Sequence, residues 1–70
     1  MTKTVTARFE DEAAARNAHE DLIDTGFPAE SVYLDTDKSE VKVMASTDAE
    51  REVHEILGRH APSEVTEHAT

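Results

Sequence analysis

The sequence predicts an α+β fold: a four-stranded antiparallel sheet with two helices on one face, in the order β-α-β-β-α-β. Three observations predict it. Apolar and polar residues alternate with a period of two around residues 3–9, 31–35 and 40–45. After the first and third of these runs, small and branched apolar residues recur at helical spacing. The links between the segments are short and polar, as turns require.

The elements follow in order. Val5, Ala7 and Phe9 alternate with Thr4, Thr6 and Arg8, a strand over about residues 3–9. Glu10-Asp11-Glu12 then suits the positive end of a helix, with Asp11 placed to cap it. Ala14, Ala15, Ala18 and Leu22 form its apolar stripe, while Glu12–Arg16 and Arg16–Glu20 are spaced as i,i+4 pairs on the polar side. Gly26 ends the helix where a left-handed residue is needed, Phe27 can fold back on the last turn, and Pro28 forbids continuation. Val32 and Leu34 alternate with Ser31, Tyr33 and Asp35 in a second strand. Thr36-Asp37-Lys38-Ser39 is a turn by composition, so the third strand, with Val41, Val43 and Ala45 on one side, closes an antiparallel hairpin. Thr47 and Glu50 match a capping box. Ala49, Val53, Ile56 and Leu57 give the second helix its stripe, His60 extends it, and Ala61-Pro62 stops it. Residues 63–68 offer one strong strand former, Val65, for a fourth strand.

A strand, a helix and a parallel neighbouring strand cross over right-handedly, so both helices fall on one face of the sheet. That is the ferredoxin-like arrangement, reached here by two strand–helix–strand halves. The expected core comprises the strand residues Val5, Ala7, Phe9, Val32, Leu34, Val41, Val43 and Ala45. The two helices and the first turn add Ala15, Ala18, Leu22, Phe27, Ala49, Val53, Ile56 and Leu57. This set is small and rich in Ala. At about 25 cal/mol per Å² its burial leaves a thin margin over chain entropy, which dimerisation would widen. One domain over residues 1–68 is expected, with 69–70 as a frayed tail.

Composition narrows the function. The chain has 70 residues, with 7 Lys+Arg against 16 Asp+Glu and a net charge of −9. This acidity fits a soluble, self-repelling surface, and with only three Lys it also fits adaptation to high salt. It disfavours nucleic acid, whose backbone is bound by Lys and Arg that release counterions. Without Cys there is no disulfide or thiolate site. No apolar run long enough to span a membrane exists, and none follows Lys3 as a secretory leader would require, so a cytoplasmic location is expected. Two Gly leave no phosphate-cradling loop, and no activated nucleophile stands out, so no enzymatic activity and no cofactor are expected.

From Val5 to Leu34 the chain resembles the small bacterial general-stress-protein domains. The likeness lies in the acidic helix start, the Ala-rich helix, the Gly26-Phe27 stop and the Val32-Tyr33-Leu34 strand. The resemblance covers about half the chain and implies a stress-associated accessory role without naming site residues. Heavy-metal-associated domains have a similar size and order but carry two Cys in the first loop, which here reads Phe9-Glu10-Asp11-Glu12. Amino-acid-sensing domains usually place Gly there, and acylphosphatases need Arg and Gly in a phosphate loop; both are missing.

Two sites are candidates. The face of the sheet away from the helices should carry Thr6, Arg8, Tyr33, Lys42 and Met44, together with Thr4, Ser31 and Thr66. Its central strands offer no aromatic on which a base could stack, which argues against RNA. Tyr and Met are enriched in interface cores, so the face suits a protein partner or a second copy, a homodimer. The alternative is a metal site in which His19, Glu50 and His54 converge from the two helix flanks. His60 is expected to interact with the last carbonyls of its helix, and His68 to lie in the tail. A third reading is a small-ligand sensor at a dimer interface, since a cleft of about 300 Å³ is hard to spare in one small chain. The sequence thus leads to a non-enzymatic, acidic association module.

Overall fold

A computed structural model describes residues 2–69. β1 (Thr2–Arg8) and β3 (Glu40–Ser46) form the centre of a four-stranded sheet of order β2-β3-β1-β4, with β2 (Val32–Asp35) and β4 (Glu64–Ala69) at its edges. Every adjacent pair is antiparallel. With α1 (Glu12–Thr25) after β1 and α2 (Glu50–Gly58) after β3, the topology is ferredoxin-like. α1 packs on β2 and β3, and α2 on β3 and β1.

The helix ends show why the chain turns where it does. Asp11 is extended at φ −139° and its carboxylate accepts the Ala14 N–H at 2.8 Å, a side-chain cap. At the other end Gly26 has φ 123°, and the Gly26 and Phe27 N–H groups donate to Ile23 and Leu22. This is the paired closure of a Schellman motif, and Phe27 then packs against the core. Asp35 Oδ1 accepts the N–H groups of Asp37 and Lys38, which folds the β2–β3 turn, and Ser39 completes it at φ 52°.

The second helix departs from expectation. A 3-10 turn covers Thr47–Ala49 and the α-helix begins only at Glu50, with Ala49 at its cap position and no side-chain cap there. The chain leaves the α-helix after Gly58. It descends through tight turns in which Arg59, His60 and Ala61 each donate to the carbonyl three residues back, and Ala61 reaches φ 52°. The helix therefore stops before Pro62, and His60 lies in the exit turn beyond its stripe. β4 is joined to β1 along its length, up to Ala69 opposite Lys3. Residue 69, expected to fray, is thus in the sheet, while Thr70 lies outside the described residues.

The core lies between the sheet and the helices. Val5, Ala7, Val32, Val41, Val43 and Ala45 meet Ala15, Ala18 and Leu22 of α1 and Val53, Ile56 and Leu57 of α2, with Phe9 also buried. Phe27, Leu34 and Ala49 are half-buried against this cluster, as are Ala14, Ile23 and Val65.

Candidate functional site

The antiparallel register sets the open face of the sheet in rows. Asp35, Glu40, Arg8 and Glu64 lie side by side across β2, β3, β1 and β4. The next row is Tyr33, Lys42, Thr6 and Thr66, and beyond it Met44, Thr4 and His68. All five residues expected at an interface, Thr6, Arg8, Tyr33, Lys42 and Met44, therefore share the face opposite the helices, because their strand neighbours Val5, Ala7, Val32, Val41 and Val43 are buried beneath the helices. Tyr33 is 50% exposed and Met44 37%. Two cations, Arg8 and Lys42, stand among three carboxylates on this face. Its net charge is thus about −1, while the rest of the molecule holds the remainder of the −9.

Glu40 is the feature that alternation alone did not flag. It is only 7% exposed, and Arg8 Nη2 donates to its Oε2 at 3.0 Å. Arg8 thus neutralises a buried carboxylate, and removing it would strand that charge. Around this pair, Thr6, Glu64 and Thr66 complete a shallow depression of about 220 Å³. That is below the roughly 300 Å³ of an ordinary small-ligand cleft, so in a single chain the depression does not favour the ligand-sensor reading.

A second polar group sits on the helix side, where α2 overhangs the β1–β4 end of the sheet. Glu50 and His54 are four residues apart and share one flank of α2. Glu67 rises from β4 to meet them, and its Oε2 is hydrogen-bonded to His54 Nε2. One ligand atom from each of Glu50, His54 and Glu67 lies within 4.8 Å of the others. Lys3 of β1 enters the same group, with Nζ 2.9 Å from Glu50 Oε1 and 3.8 Å from Glu67 Oε1. The bond to His54, first, and the Lys3 charge hold the Glu67 carboxyl below its ordinary range, and Glu50 holds the Lys3 ammonium above its own.

This corrects the expected metal set. Glu50 and His54 do converge with a third ligand group, but that group is Glu67 and not His19. The physical reason is lateral placement. α1 lies over β2 and β3, whereas the Glu50–His54 flank of α2 faces the opposite edge, where β4 is added. The i,i+4 spacing of Glu50 and His54 was readable in the sequence. Glu67 was not, because its approach depends on β4 joining β1 in one particular register.

The other two histidines are also placed. His60 Nε2 lies 3.0 Å from Asp21 Oδ2, and Arg59 Nη1 lies 3.6 Å from the same oxygen. His60 therefore joins the exit of α2 to α1 in place of an interaction confined to its own helix. His68, expected in a tail, lies in β4 opposite Thr4. Among the described residues, no helix is long and apolar enough to cross a membrane. Comparison with family models, with curated proteins and with solved structures found no match.

Proposed function

We propose that the protein is a non-enzymatic association module whose open sheet face packs against a second copy of the chain. The observation that carries this reading is the charge distribution. Two copies of a −9 chain repel each other least where the local charge is near −1, and that is also where Tyr33 and Met44 are exposed. Lys42 has no ion-pair partner among the described residues, nor has Glu64. A facing copy can supply partners of opposite sign to both.

Magnitude limits the strength of the contact. Four strands about 4.8 Å apart, holding 24 residues between them that each rise about 3.3 Å, make a face of roughly 380 Å². A stable interface takes about 800 Å² from each partner. The association is therefore weak and dynamic, and its readout must be concentration-dependent. An accessory role in stress, as the sequence resemblance implies, is compatible with such a module.

Sedimentation equilibrium over a wide concentration range tests the proposal. The wild-type mass should rise toward twice that of the chain, and Tyr33→Lys with Met44→Glu should hold the mass at that of one chain with unchanged helical content. A wild type that stays monomeric throughout, or a double variant that associates as the wild type does, overturns it. Arg8 is left intact, since its loss would unbalance Glu40 and confuse folding with association.

A further inference from the structure

We propose that Glu50, His54 and Glu67 form a binding site for a divalent transition-metal ion of the Zn²⁺ class, with the Lys3 ammonium as its built-in competitor. The site lies on the helix side of the sheet, so it stands or falls independently of the open-face association.

The donor set points to the class of metal. One imidazole and two carboxylates present nitrogen and oxygen ligands of borderline character, which suit Zn²⁺, Co²⁺ or Ni²⁺. Mg²⁺ and Ca²⁺ prefer oxygen throughout. Three protein ligands leave a fourth position for water. Two ligands on a tetrahedral ion at about 2.1 Å from each are about 3.4 Å apart. The three ligand atoms here are already within 4.8 Å of one another. Rotation of two Glu side chains covers the difference without moving the backbone, because Glu50 and Glu67 are partly exposed, their side chains 25% and 32% accessible.

Position and charge add to this. Glu50 and His54 are carried on one turn of α2, and Glu67 on a strand hydrogen-bonded to the central strand β1, so the donors stand on two rigid supports. Lys3 Nζ occupies the place between the two carboxylates, 2.9 and 3.8 Å away, and brings a single positive charge. A divalent ion would bring two and would balance both carboxylates. Lys3 is about one-third exposed and has a flexible stem, so it can swing into solvent when displaced. Metal affinity is thus reduced by the strength of the Lys3 ion pair, and removal of Lys3 should increase it.

Zn²⁺ titration of the whole chain, followed by calorimetry and by the imidazole resonances, is the test. The wild type should bind one equivalent with shifts concentrated at His54. Lys3→Met should bind roughly tenfold tighter. His54→Gln, which retains a hydrogen-bond donor toward Glu67 and so preserves folding, should bind at least roughly tenfold weaker, as should Glu67→Gln. Mg²⁺ should leave the His54 resonances unmoved. The proposal is overturned if neither wild type nor Lys3→Met shows a His54 shift at about 1 mM Zn²⁺, or if Lys3→Met fails to bind more tightly. It is also overturned if His54→Gln binds as wild type does, the signature of diffuse attraction to an acidic surface.

Discussion

Asp21 receives two basic partners from beyond the end of α2, His60 at 3.0 Å and Arg59 at 3.6 Å. The His60 hydrogen bond, first, and the Arg59 charge hold the Asp21 carboxyl below its ordinary value. A carboxyl depressed in the folded state contributes stability that is fully present above its unfolded value, and loses it as the pH falls through the folded one. Asp21→Asn should therefore lower the urea midpoint at pH 6, and the gap to wild type should narrow progressively as the pH falls below the ordinary carboxyl value of about 3.9. A gap that persists unchanged in acid would assign the effect to something other than this charge. At this scale the sequence was partly legible. His60 was recognisable near the end of a helix, but its partner is on α1, thirty-nine residues away. The choice between its own carbonyls and Asp21 was made by the packing of two helices. The same holds for Arg8 and Glu40, whose types are plain in the sequence but whose pairing across thirty-two residues comes from register.

Local chemistry decides more at the scale of the element. α1 starts and stops where its residues say it should, because Asp11, Gly26 and Phe27 each act within a few positions of themselves. Asp11→Ala should cost about 1 kcal/mol by orphaning the Ala14 N–H. In a domain of this size that is a fall of several degrees in Tm by calorimetry; an unchanged Tm would show that water replaces the cap at no cost. The start of α2 was less legible. The Thr47–Glu50 spacing suits a capping box, yet the chain takes a 3-10 turn there, and the Glu50 carboxylate accepts from Lys3 of β1. The position of the helix start therefore depends on this turn and on β1 as well as on the local sequence. β4 is the opposite case. Its residues carry little strand preference beyond Val65, but β1 offers it a free edge and a complete ladder of hydrogen-bonding partners.

The whole molecule is a body 31 × 22 × 19 Å in extent carrying a net charge of −9. At 0.1 M salt the screening length is about 10 Å, so acids that are neighbours on one side of the molecule still repel; at 1 M it is about 3 Å, and that repulsion is largely lost. Tm should therefore rise between 0.1 and 1 M NaCl, and self-association through the open face should strengthen over the same range. A Tm that falls steadily with salt would mean that attractive pairs such as Lys3–Glu50 outweigh the net repulsion.

The alternation of Val, Ala and Phe with polar residues, the helical stripes and the turn residues determined by themselves the first three strands, the two helices and most of the apolar core, since those preferences act over a few residues and the solvent enforces them. Only the tertiary structure decided the pairings between distant side chains: Glu67 with His54, Asp21 with His60, and Glu40 with Arg8. Each depends on strand register or helix placement, which is settled by the joint packing of the whole core, and no short stretch of chain contains that information.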